Sequence, residues 1–352
     1  MLRGIAAFSI ALYHSFFILN VDGISAVWEH SLFDPLPLTA KITQLISIGF
    51  NGNMWVILFF VLSGFFLRGS LQSLGVRDIL RYYTKRFFRL YPPYLASLLL
   101  ICVGLILWPQ VDHTTVYSDW FPNYSSLSLK NAVLSNLLFL NTSLSGVTWA
   151  LKVIVVATLL APVFIFVDSK KSRAIDGIFL SVLIAYGFSR FRFDVYPFLY
   201  LFYLGLILPR YKDVFESIPL IVGRFLPILF VVMLGGSFIM EYNIAKLVQA
   251  FGWSFILGFY LYTSKKISIP TSPFFQKLGS ISFSFYLLHF VTLFFCARFF
   301  VEYIPTSTSN TLFFHTMVAA ISIILTYILA LAVSVYIEKP IREWSKKTLQ
   351  YR

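Results

Sequence analysis

The sequence predicts an all-α polytopic membrane protein of about ten transmembrane helices, with both termini in the cytoplasm. Three observations carry that prediction. Hydrophobic residues make up 58% of the chain and charged residues 12%, about half the charged share of a domain that faces water. Apolar runs near the roughly 20 residues a spanning helix needs follow one another with short polar breaks. Of the 28 Lys and Arg residues, 21 fall in breaks that share the side of the N-terminus and 7 in the others, and Lys/Arg-rich breaks stay in the cytoplasm. A β-barrel would show strict alternation over roughly 10-residue stretches, which runs such as Leu98-Leu99-Leu100-Ile101-Cys102-Val103 lack.

Taken in order, the spans fall near residues 1–20, 50–68, 90–108, 148–167, 174–189, 196–209, 219–239, 244–262, 278–300 and 311–336. The first is a mature span rather than a signal peptide, because no small-residue cleavage site follows it. Residues 21–49, with Pro35 and Pro37, read as an external loop, and 69–89 as a cytoplasmic segment dense in Arg and aromatics. The longest external stretch is 109–147, where the apolar piece Asn136–Leu140 is too short to span and has the length of a re-entrant turn. Spans 174–189 and 196–209 are short enough to be tilted or broken. No internal repeat or low-complexity tract interrupts the pattern, so the chain reads as one membrane domain over 1–337 and a short basic cytoplasmic tail over 338–352.

The formal charge of +13 marks topology. The lipid bilayer is the expected partner, and nothing resembles a nucleic-acid-binding module. Cys102 and Cys296 sit in apolar runs as small hydrophobes. Without CxxC or Cys/His spacing, no metal site is expected.

Ionisable side chains inside a membrane are costly, so each is a functional candidate. Arg3 and His14 stand eleven residues apart on the first span, about 16 Å and close to three turns, hence on one face. That places Arg3 at the cytoplasmic edge and His14 near mid-membrane or beyond. Such a histidine is more often a packed, hydrogen-bonded residue than a catalyst. Arg86 and Arg89 share a helix face and suit phosphate oxygens, although snorkelling arginines look the same. Ser63-Gly64 suits close helix packing. His289 is either a polar group in a cavity or an interfacial residue. His30 and His113 read as solvated loop residues, His315 as solvated or interfacial, and Glu338 as paired with a basic neighbour.

Several segments, in order, resemble the acyltransferase-3 family of membrane acyltransferases. They are Leu2-Arg3-Gly4-Ile5-Ala6-Ala7 leading to Tyr13-His14, Leu58–Phe65, Lys85-Arg86-Phe87-Phe88-Arg89-Leu90-Tyr91-Pro92, Gly279–His289 and Glu338-Lys339-Pro340. The resemblance covers nearly the whole chain. It implies a multi-pass enzyme of the bacterial inner membrane that moves an acyl group, usually acetyl, from cytoplasmic acyl-CoA to a carbohydrate hydroxyl. It further implies a functional His14, expected as the catalytic base. Arg3, Arg86, Arg89, Trp149, Tyr286 and His289 are expected to bind substrates. Acyl-CoA, acetyl-CoA in the usual case, enters as donor substrate, and no tightly bound cofactor is implied. The acceptor is a cell-envelope glycan or lipid-linked glycan. Two departures stand out: Ile154 occupies a position where relatives carry Glu, and the opening motif lacks the Asp that relatives have a few residues upstream. Two other readings fit the same residues, an inactive relative with an accessory role and a small-molecule exporter.

Overall fold

The computed structural model describes residues 1–24, 27–71, 73–109, 116–125, 127–188, 195–263, 272–303 and 311–350. His113, and Arg190, Arg192, Lys265, Lys266 and Arg352 of the charge count, lie outside the described residues. Those described form helices joined by turns, with no strand among them beyond two isolated bridges.

The principal helices are α1 (Leu2–Ser15), α2 (Leu38–Phe50), α3 (Gly52–Leu67), α4 (Val76–Leu107), α5 (Leu129–Leu137), α6 (Trp149–Leu159), α7 (Ala161–Ser169) and α8 (Arg173–Phe188). They continue with α9 (Leu199–Ile207), α10 (Lys212–Ser217), α11 (Leu226–Ile239), α12 (Tyr242–Gly258), α13 (Pro273–Ser280), α14 (Ser282–Tyr303), α15 (Thr311–Val333) and α16 (Lys339–Gln350). Among the described residues, 5 helical segments are long and apolar enough to cross a membrane: Leu38–Leu67, Val76–Leu107, Tyr242–Thr263, Ser282–Tyr303 and Leu312–Ser345. The number rises to 7 if each of two bent pairs is one span, Gly146–Leu159 with Ala161–Ser169 at 49° and Leu199–Ser217 with Leu220–Gly236 at 112°.

Several expectations shift. The first helix stops at Ser15 rather than near residue 20, so its 14 residues rise only about 21 Å. His14 therefore lies in the last turn, where Phe17 N–H donates to its carbonyl at 3.1 Å. The loop expected over 21–49 holds α2. Residues 76–107 form one helix through Pro92 and Pro93, where a break near residue 90 was expected. Pro162 starts α7 and bends the fourth span. The basic tail folds as α16.

The chain divides into two compact units. The first comprises residues 1–52, 88–148 and 271–352, with α14 as its core: 83% of the most apolar window of this helix lies inside. Helices α1 and α15 pack along it, and α13 packs on α1. The buried face of α1 is Gly4, Ala6, Ala7, Ser9, Ile10 and Ala11, small residues that let backbones approach. Gly4 is obligatory: a Cβ there would stand 2.5 Å from Phe275 O and 2.6 Å from Gly279 N. Two segments of the family resemblance thus meet, backbone on backbone.

The second unit comprises residues 53–87 and 149–270. Every residue of α9 is buried. A Cβ at Gly64 would overlap Phe202 O, and one at Gly205 would overlap Val61 O, so α3 and α9 cross in backbone contact, as Ser63-Gly64 predicts. Ser63 Oγ turns back to donate to Phe59 O at 2.7 Å. A buried ionic cluster joins α7, α8 and the turn after α9. Arg210 donates to both Asp168 and Asp176, Tyr203 Oη donates to Asp176 at 2.7 Å, and Arg68 Nε lies 3.6 Å from Asp168.

Candidate functional site

Three site candidates of the first unit, His14, Tyr286 and His289, converge at the end of α1. His14 Nδ1 lies 2.9 Å from His289 Nε2, and the two rings are nearly parallel, at 6°. His289 is buried at 2% exposure on α14, while His14 is only partly covered. One imidazole thus faces a space that the other backs. Tyr286, one turn before His289, holds it: Tyr286 O lies 2.5 Å from His289 Nδ1, and Tyr286 Oη donates to Val147 O at 2.7 Å.

These contacts assign the tautomers. A carbonyl only accepts, so His289 Nδ1 carries the hydrogen and, in the neutral ring, Nε2 is a bare acceptor. His14 Nδ1 must then donate to it, which leaves His14 Nε2 with a free lone pair. The chain of contacts runs from His14 through His289 to a backbone carbonyl. A positive charge formed there is favoured by the C-terminal end of α1, where helix carbonyls point outward. Trp120 adds an aromatic face parallel to His14, centroids 4.8 Å apart at 22°.

Trp120 was not foreseen, and no sequence signal marks it. It arrives because the loop around it pairs with the chain leaving α1: Ser118 N–H donates to Ile18 O at 3.2 Å and Asn20 N–H to Val116 O at 2.8 Å, while Ser118 Oγ donates to Phe17 O.

The other candidates have surroundings of their own. Arg3 stands in the first turn of α1, at the opposite end from His14. Arg86 and Arg89 are one turn apart on α4 but have different neighbours. Arg86 donates to Ser70 Oγ at 3.3 Å and covers the Tyr82 ring at 5.4 Å. The exposed Arg89 is within electrostatic reach of Glu338, as is Arg342, and Ser284 Oγ donates to Glu338. Trp149 begins α6 in the second unit, against Phe60 and Phe198 at 6.0 and 5.0 Å. His30 sits 3.4 Å from Asp34 in its loop. His315 corrects an expectation: it is 0% exposed, stacked 6.1 Å from Phe16, because α15 packs against α1. Among the described residues, no cluster of three His, Cys, Asp or Glu is arranged to hold a metal ion.

Spanning helices and a contacting pair of imidazoles define a multi-pass membrane protein with a paired-histidine site. Residues 1–338 match the acyltransferase-3 family, described as an acyltransferase domain. The chain belongs to that family, whose membrane O-acyltransferases act on carbohydrates. No curated protein and no solved structure matches it.

Proposed function

We propose that this protein transfers an acyl group, acetyl in the simplest case, from acyl-CoA to a hydroxyl of a cell-envelope glycan or glycolipid in a bacterial inner membrane. The observation that carries the reading is the His14–His289 contact at 2.9 Å, which leaves His14 Nε2 bare. In this reaction His14 Nε2 takes the proton of the acceptor hydroxyl as its oxygen attacks the thioester carbonyl. The new C–O ester bond forms, the C–S bond breaks, and the thiolate of CoA leaves with the proton returned by His14. General-base assistance of this kind contributes about 10²–10⁴ in rate.

His289 and Tyr286 are positioning residues: they fix the tautomer and hold the ring, as the third member does in other base relays. With Ile154 on α6, that position supplies no carboxylate, and His289 is the orienting partner. Arg86 and Arg89 bind the phosphates of CoA, and Arg3 is a further substrate-binding residue.

Mass spectrometry of envelope glycans, with and without the protein, tests the reading. His14→Gln keeps a hydrogen-bonding group but cannot accept a proton near neutral pH, and it should lower acylation by at least about 10² at unchanged membrane insertion. Full acylation by that variant removes His14 as base. Glycans identical with and without the native protein would instead favour the accessory reading.

A further inference from the structure

The second unit holds a buried cation that the imidazole relay does not use. Lys246, on the second turn of α12, is 2% exposed. Its Nζ donates to the neutral Asn243 Oδ1 at 3.2 Å. It lies 5.0 Å from the ring centroids of Tyr242 and Phe198 and 5.9 Å from that of Phe188. Among the described residues, no carboxylate forms an ion pair with it. Glu241, the acid that acts on it electrostatically, is exposed and occupied: it caps α12, accepting from the backbone N–H groups of Asn243 at 2.9 Å and Ile244 at 3.1 Å.

Lys246 lines a small pocket together with Asn53, Trp149, Phe198, Tyr242 and Gln249. Aromatic faces give a cation partial relief, but none of them replaces an anion. Among the described residues only rings and an amide stand against this cation, and an ionisable side chain kept in a spanning helix is a functional candidate by default. The wall combines chemistry that a sugar-borne acid needs: an indole at Trp149, an amide at Asn53 and the Lys246 cation.

We propose that this pocket binds the anionic group of a ligand, a sugar carboxylate or a phosphoryl group, through Lys246. The site stands in the second unit and does not depend on the acyl-transfer reading. Carboxylate and phosphoryl share the chemistry, and the choice of probe separates them.

The test is thermal unfolding of the detergent-solubilised full chain with D-glucuronate, glucose 1-phosphate, or neutral glucose as control. One of the two anions should raise the midpoint in a saturable way and glucose should not. Lys246→Met, which keeps the apolar stem without charge, should weaken that anion's apparent affinity by about tenfold or more, and its own midpoint should not fall. Lys246→Arg should retain binding. The His14→Gln protein should respond like the native one, which separates this site from catalysis. The proposal is overturned if neither anion shifts the midpoint, or if Lys246→Met responds like the native protein. A marked fall in the Lys246→Met midpoint also overturns it, because the ammonium would then be a packing strut.

Discussion

At the scale of single residues, the feature that matters most is an asymmetry between two arginines one turn apart. Arg86 sits beside Ser70 and the Tyr82 ring, with neutral neighbours that leave its charge to a ligand. Arg89 is within reach of the Glu338 carboxylate, which offsets part of its charge. Phosphate binding should therefore depend more on Arg86. Arg86→Ala should raise KM for acyl-CoA about tenfold, or ~1.4 kcal/mol, with kcat within about twofold. Arg86→Lys should recover only part, because an ammonium lacks the two-pronged donor geometry. Acyl-CoA titration of the solubilised enzyme measures it, and an unchanged KM in Arg86→Ala would reduce this arginine to a topology signal. His14, Arg3, Arg86 and Arg89 were legible because charge in an apolar helix is rare. Trp120 was not, since its place depends on a loop pairing with residues 17–20, a long-range event without local signature.

At the scale of elements, close backbone approach explains which small residues cannot change. The crossing of α3 and α9 leaves no room for a methyl group at Gly64 or Gly205. Gly64→Ala should cost about 1–3 kcal/mol by overpacking, with a matching drop in the thermal midpoint. Gly235→Ala serves as control: its nearest neighbour would be the flexible tip of Ile239 at 3.9 Å. Equal midpoints for the two variants would refute the crossing. The Ser63-Gly64 pair announced this contact in advance. Helix boundaries were less legible. Residues 69–89 are polar enough to read as a separate segment, yet α4 takes in residues 76–89 of it because helix formation outlasts the apolar stretch. Two prolines inside it remove only the hydrogen bonds to the carbonyls of Phe88 and Arg89. The stretch after α1 is as apolar as a helix, but Ile18, Asn20 and Phe17 find partners in another loop.

At the scale of the whole molecule, composition alone established the membrane class, while the number of crossings needs the helix lengths. Ten spans were expected, and among the described residues 5 to 7 meet the length and hydropathy required of a span. The gap falls at short helices: α1 and α11 have 14 residues and α8 has 16, about 21–24 Å of rise against a hydrocarbon core near 30 Å. The charge bias still predicts an orientation. With Cys102 and Cys296 replaced, a cysteine introduced at Arg77 should react with an impermeant reagent only from the cytoplasmic side. One at Asn123 should react only from the opposite side. Labelling of residue 77 from outside would overturn the cytoplasmic placement of Arg86 and with it the CoA site.

The meeting of α1 with α13 and α14 also has a consequence in time. His14 and His289 stand 275 positions apart, and Gly4 is clasped by Phe275 and Gly279. A helix made early therefore docks on helices made about 270 residues later. At about 5–20 residues per second, α1 waits on the order of 14–55 seconds before its partners exist. During that interval its polar stripe, Arg3 to His14, has no native cover. A ribosome stalled before residue 273 would leave α1 with nowhere to dock, and proofreading of this protein in the membrane can begin with whether that helix has been claimed.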